Sequence, residues 1–333
     1  MKIYVYPRQR QGKYDNGYIN DFCASLEEAG AEVIGAPARN PLLSVFCQGR
    51  RADCYVFHWI ENVPGYKYGL LQSVAAWALV WGARVRGRKV VWFMHNRRPH
   101  SGRRRVLCGA LMRMMAAASD LIVTHSREGI GVIAERYPHR LHKAVFLDHP
   151  TKNRLSGESK GERRYDILIW GTISPYKNVD RFVSYAARKM ARRRILVIGG
   201  CGDEALFDRV NACASDNIRV ERRPVSFEEL GGLVSDSRYV VVPYASDTLL
   251  SSGTLMDSLS FGARVIGPDT GSFADYLPEK RITVKTYDTY ADIERILSLP
   301  DPEYDPVAYS DFLEEKSWSS FAKRFVSLVG KIR

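Results

Sequence analysis

The chain alternates strand-like and helix-like patterns twice, on either side of a polar break, and this constrains its fold more than any other feature of its 333 residues. In the first half, short apolar runs at 2–7, 32–35, 53–59, 89–95 and 120–125 alternate with helical spacings at 18–29, 68–82 and 106–118. Such alternation predicts a parallel, doubly wound sheet. The stretch 151–164, TKNRLSGESKGERR, has a linker's composition. The alternation then restarts, with strands at 166–170, 194–199, 218–221, 239–243 and 264–267 and helices opening at Asn178, Glu204, Phe227 and Thr254. Two α/β domains are expected, 1–152 and 165–310. In the terminal segment 311–333, Phe321, Phe325, Val326 and Val329 have helical spacing. That helix either crosses back onto the first domain or lies on the second.

Composition removes several classes of function. The longest apolar stretch, 70–81, holds Gln72 and Ser73 and is too short to cross about 30 Å of hydrocarbon at roughly 1.5 Å per helical residue. The opening MKIYVYPRQRQ reads as a strand and a basic turn, not as a signal peptide. The 6 cysteines are scattered without a C-x-x-C pair, the pattern of reduced thiols in a cytoplasmic protein without structural zinc. Charge is uneven: residues 1–150 carry 22 Lys and Arg against 11 Asp and Glu, nearly the whole net charge of +12. No acidic residue stands between Glu61 and Asp120, where 10 basic residues lie from Arg84 to Arg113. A field of one sign predicts an anionic partner, whether an anionic membrane surface, a nucleic acid or a diphosphate-bearing acceptor, or else a solvated basic face.

Two loops of the second half follow strands and precede helices, where backbone N–H groups and a helix dipole collect phosphate. One is Gly171-Thr172-Ile173-Ser174-Pro175-Tyr176-Lys177. The other runs from Pro243-Tyr244 to Ser251-Ser252-Gly253-Thr254. With the frame Leu255, Ser258, Leu259, Gly262, Val265 and Ile266, they resemble the donor site of GT-B glycosyltransferases, related to glycosyltransferase family 4 and to bacterial cell-surface polysaccharide transferases. The resemblance implies two Rossmann-like domains facing across a cleft, the first binding the acceptor and the second a UDP- or GDP-linked sugar. It implies a donor site of Gly171, Lys177, Arg222, Tyr244, Ser251, Ser252, Gly253, Thr254 and Asp257, with Lys177 on the diphosphate, Asp257 on the ribose and no cofactor or metal. Retaining members of family 4 carry Glu-x7-Glu here; this chain has Leu249 and Asp257, a departure that puts their mechanism in doubt. Arg222 or Arg223 faces base or phosphates, or is a surface Arg. Ser226 followed by Glu229 reads as a capping box.

In the first half, His95-Asn96 and Pro99-His100 resemble a segment of bacterial polysaccharide glycosyltransferases of this fold, which implies a cleft-facing His95. Inverting transfer needs one base to deprotonate the acceptor hydroxyl. His95, Asp15 and Glu61 are all candidates, and the sequence does not choose among them. The expected enzyme is a hexosyltransferase acting on a lipid-linked or surface-polysaccharide acceptor, peripheral on the inner face of the membrane. A nucleic-acid-binding protein would interleave aromatics with the Arg run, and 97–105 contains none. A sugar-nucleotide epimerase of the same fold would leave the basic surface unexplained. The helix at 68–82 is apolar almost all round, which predicts burial of much of it unless it meets a membrane.

Overall fold

The computed structural model describes residues 1–8, 17–98, 104–155, 163–245 and 249–332. The chain forms two compact units, Met1–Asp148 with Trp318–Arg333, and His149–Ser317. The first is built on β1 (Lys2–Tyr6), β2 (Glu32–Ile34), β3 (Cys54–His58), β4 (Lys89–Phe93), β5 (Leu121–Thr124) and β6 (Ala144–Phe146), in the order β2-β1-β3-β4-β5-β6. The second uses β7 (Tyr165–Trp170), β8 (Ile195–Ile198), β9 (Ile218–Glu221), β10 (Ser237–Val241), β11 (Val265–Pro268) and β12 (Val284–Tyr287), in the order β9-β8-β7-β10-β11-β12. All pairings within both sheets are parallel.

The strands are apolar on both faces because helices cover both faces. In the second unit Leu168, Val240 and Val242 point into one core, while Ile167, Ile169, Tyr239 and Val241 point into the other. In the first unit Val5, Val56, Val91 and Phe93 pack under Phe22 and Leu26 of the helix Tyr18–Glu28. The terminal helix Trp318–Lys331 lies on the same face, burying Phe321, Phe325 and Val329. Lys89 Nζ donates to the Val329 carbonyl at 3.1 Å, satisfying a group near that helix's end.

Each sheet has one place where strand order reverses, between β1 and β3 in the first unit and between β7 and β10 in the second. At such a point the connections leave in opposite directions and open a crevice beyond the carboxyl ends of the strands.

The helix Gly69–Val85 departs from the burial its composition predicts. Small side chains turn inward with Leu79 and Val80: Ser73, Ala76 and Ala83 are buried against the helix Arg105–Ala118 and the turn Ile60–Gly65. The bulky residues turn outward, leaving Leu70 62%, Leu71 72%, Val74 62%, Trp77 46% and Trp81 41% exposed. A Cβ on Gly69 would fall 2.2 Å from the Pro64 carbonyl oxygen, so the close approach begins at the helix start.

The ring of Phe325, fully buried, sits 5.5 Å from both Phe22 and Phe93. Phe325→Ala is expected to destabilise the first unit by about 3–5 kcal/mol. Urea unfolding followed by a first-unit probe checks this; an unchanged midpoint would mean the terminal helix is dispensable to that core.

Candidate functional site

In the second unit, a pocket opens at the carboxyl ends of β7 and β10, where strand order reverses. Its wall includes Gly171, Thr172, Lys177, Pro243, Tyr244 and Thr254. Gly171 has φ +94°, a conformation that glycine supplies without steric cost, and its carbonyl oxygen would stand 1.9 Å from a Cβ on Gly199. The two glycines therefore let the ends of β7 and β8 come together, and the Ile173 amide donates to the Gly200 carbonyl at 2.8 Å. The loop then folds Lys177 back inward. Nζ of Lys177 lies 5.3 Å from the centre of the Tyr244 ring, and the residue is 8% exposed. Burial pushes its ammonium below the usual lysine range, opposed by the neighbouring Tyr176. No carboxylate pairs with it among the described residues, so its ammonium lines the pocket wall without a counter-charge.

Tyr244 links this lysine to the next helix, its hydroxyl lying 2.8 Å from Thr254 Oγ1. The helix Gly253–Leu259 is capped by Ser252, whose Oγ accepts from the Leu255 amide at 3.1 Å. The Ser252 oxygen thus serves the cap, while its O–H can still donate. Trp170 Nε1 donates to Ser258 Oγ at 2.8 Å, fixing the same helix to the end of β7. Ser251 is half-buried beside it. Asp257, one helical turn beyond Thr254, has a carboxylate oxygen 3.9 Å from Arg154 NH1. Arg222 forms a two-pronged ion pair with Glu204, at 2.6 Å for each contact, and donates to the Cys201 carbonyl. Arg223 pairs with Glu221 and Glu229. Ser226 caps its helix through the Glu229 amide at 3.2 Å, but the Glu229 carboxylate turns to Arg223, so the reciprocal half of the box is not made.

In the first unit, the polar groups gather at the carboxyl edge of β3, β4 and β5. Each of these neighbouring strands runs into a histidine, His58, His95 and His125, all buried. His58 Nδ1 is 2.9 Å from His95 Nε2. The Tyr18 hydroxyl is 2.7 Å from His125 Nε2, and His125 Nδ1 is 2.8 Å from the Leu147 carbonyl. Trp318, opening the terminal helix, meets the Tyr18 ring edge-on at 5.2 Å. The sequence carried this signal in VFH, FMH and VTH, three strand ends with the same residue, of which only His95 was singled out.

Glu61 follows β3, at the order reversal between β1 and β3. It is 1% exposed, and neither carboxyl oxygen has a hydrogen-bond partner among the described residues. Burial pushes its carboxyl up to about 7, opposed by its own backbone N–H and by the Trp92 indole, which falls short of hydrogen-bond geometry. Trp92 Nε1, Asn96 Nδ2 and His58 Nε2 are likewise buried and unpaired. Asp15 lies outside the described residues. No group of three or more His, Cys, Asp and Glu side chains is arranged to hold a metal ion among the described residues.

No protein-family model matches the chain, and no curated protein matches it. Solved structures do. Anabaena HepE in complex with UDP-glucose superposes with a TM-score of 0.65 at 11% identity, covering 98% of this chain and 95% of that one. The lipopolysaccharide outer core galactosyltransferase WaaB, in its apo form, gives 0.63 at 12% identity over 99% of both chains. A variant of S. aureus TarM in complex with fondaparinux, α-GlcNAc-glycerol and UDP gives 0.59 at 12% identity; there the match covers 83% of this chain but only 55% of that one, about half its length. Likeness at this identity concerns architecture, and it agrees with the two sheets described above: the chain has the GT-B fold, two Rossmann-like domains.

The buried carboxyl of Glu61 makes a testable contribution to stability. Its folded pKa, about 7, stands above the ordinary 4.5, so the folded state binds the extra proton between these values. The resulting stabilisation is fully present below the lower value and is lost as pH rises through the upper one, about 3 kcal/mol in all. In Glu61→Gln, whose amide stays neutral, that loss between about pH 5 and about pH 8 should be absent from urea unfolding curves. Equal losses in both proteins would show that this carboxyl does not titrate there.

Proposed function

We propose that this chain is a metal-independent glycosyltransferase that moves a sugar from a UDP- or GDP-linked donor to a lipid-linked or surface-polysaccharide acceptor. The observation that carries the reading is Lys177, a buried ammonium without a carboxylate among the described residues, at the order reversal of the second sheet. Desolvating a lone cation is costly, and a donor diphosphate would supply the missing charge. As the sugar leaves, negative charge grows on that diphosphate, and a cation fixed in the pocket wall stabilises it without reorganising. Gly171 allows close approach of the backbone, Tyr244 and Thr254 shape the wall, and Ser251, Gly253 and Asp257 complete the donor site, Asp257 toward the ribose. Arg222, already paired with Glu204, contributes less than its charge suggests. HepE and TarM were crystallised with UDP-glucose and UDP, which supports a nucleotide-linked donor. WaaB, a lipopolysaccharide galactosyltransferase, supports a cell-surface glycan acceptor.

The first unit is assigned to the acceptor. Buried, unpaired polar atoms around Glu61, Trp92 and Asn96 suit a ligand rich in hydroxyls, and Glu61, Asp15 and His95 are the candidate bases. Thermal unfolding with a panel of UDP- and GDP-sugars tests the donor assignment. One of them should raise the midpoint of the parent but not of Lys177→Ala, which should lose about 1.5–3 kcal/mol of binding. Turnover should persist in EDTA. No stabilisation by any donor, or activity that returns only with Mg²⁺ or Mn²⁺, would overturn the reading.

A lipid-anchored acceptor would suit the outward face of Gly69–Val85. No described helix is long and apolar enough to cross a membrane. Leu70, Leu71, Val74, Trp77 and Trp81 nevertheless form an exposed apolar stripe flanked by exposed Lys67, Arg84 and Arg86, with Arg104 and Arg105 at the start of the neighbouring helix. Part of the basic field is neutralised at home, since Arg84 pairs with Asp120, Arg88 with Asp53 and Arg97 with Glu128. The remainder contributes about 1 kcal/mol per charge near an anionic surface, and the stripe adds an apolar part that salt does not screen. Co-sedimentation with anionic vesicles should fall with salt, and should fall further for Leu71→Glu with Val74→Glu. Equal, negligible binding of the parent to anionic and neutral vesicles would remove this surface from the account.

A further inference from the structure

The imidazole of His95 is held from three sides. Its Nε2 lies 2.9 Å from His58 Nδ1. The Trp59 ring stacks on it with centroids 4.3 Å apart and planes at 20°, and the Tyr18 ring meets it edge-on at 5.5 Å and 87°. Trp59 reaches this position with φ +50°, in the left-handed region that bulky side chains seldom enter. The strained residue is thus the one whose ring covers His95.

His58 is itself immobilised. It is the last residue of β3 and is fully buried. Its ring stacks on that of its cross-strand partner Phe93 at 4.3 Å and 21°. Burial, reinforced by His125, holds its pKa well below the usual histidine range, so it is neutral and carries one proton. Two arrangements of the pair remain. If His95 donated through Nε2, the proton of His58 would sit on its own Nε2, a buried N–H without an acceptor among the described residues. If His58 donates through Nδ1, its Nε2 is only an unused lone pair. An orphaned N–H is the rarer and costlier outcome. His58 is therefore the donor, and a neutral His95 that accepts at Nε2 carries its own proton on Nδ1.

We propose that His58 is a positioning residue that fixes His95 in the Nδ1-protonated tautomer, so that neither ring nitrogen of neutral His95 offers a lone pair to an acceptor hydroxyl. The inference deepens the glycosyltransferase reading and rests on it for its consequence. His95 then contributes as an oriented, proton-bearing ring, and among the described residues the candidate base is the carboxylate of Glu61.

Long-range ¹H–¹⁵N correlation spectra of the histidine rings in the full chain, with His95 assigned by its loss in His95→Gln, read the tautomer directly. The parent should show His95 protonated at Nδ1. His58→Asn, whose side-chain N–H can stand where Nδ1–H stood, should keep that tautomer and keep kcat within about threefold, whereas His58→Phe should release it and lower kcat about tenfold or more with little change in donor KM. Protonation of His95 at Nε2 in the parent overturns the proposal, and so does an unchanged tautomer in His58→Phe. If His58→Phe does not fold, the parent and His58→Asn spectra still decide. Absence of turnover in the parent, with the expected spectra, would count against the glycosyltransferase reading and leave the tautomer assignment standing.

Discussion

Parallel pairing is the constraint on which the rest depends. A parallel strand must be followed by a crossover before the next can pair, so all six strands of each sheet end on the same edge and helices must cover both faces. Where strand order reverses, the crossovers part and leave that edge open. Both concentrations of unusual chemistry lie there: Lys177 beyond β7 and β10, and Glu61 beyond β1 and β3, with the three histidines at the carboxyl ends of β3, β4 and β5. Neither place was set by the linear sequence alone; strand order brought the groups together.

The two places share a cost. Among the described residues, Lys177 and Glu61 are each buried without a compensating charge. Stability alone would favour a methionine and a glutamine at these positions, because an uncompensated buried ionisable group weakens the fold. Their presence on two independent sheets, each at its order reversal, is the observation on which the proposed binding sites rest. Arg222 shows the contrast, since its guanidinium is satisfied by Glu204 and the Cys201 carbonyl and leaves little demand for a ligand.

Much of the fold was legible because buried parallel strands are continuous apolar runs; β9 and the helices opening at Glu204 and Phe227 lie where the residues place them. Short and half-buried elements were not. Strand β6 has three residues of intermediate exposure, and β12 carries an exposed Lys285 in a four-residue run. The helix Pro306–Glu315 had a readable start, Asp305 before Pro306, with Asp305 Oδ1 accepting from the Val307 and Ala308 amides. The faces of Gly69–Val85 were illegible because an apolar helix does not say which apolar side is inside; Ser73, Ala76 and Ala83 decide it by size. At the site, Lys177 and Tyr244 could be named from their loops, whereas the contact between His58 and His95 needed the register of β3 on β4.

The central claim is that the second unit's order reversal receives a nucleotide diphosphate through Lys177. Titration calorimetry with UMP, UDP, GMP and GDP isolates the β-phosphate from base and ribose. The account predicts that one diphosphate binds the parent about tenfold or more tighter than its monophosphate, and that Lys177→Met removes most of this difference while raising the unfolding midpoint of the free protein. Equal affinity for mono- and diphosphate in the parent, or a preference that survives in Lys177→Met, would contradict it.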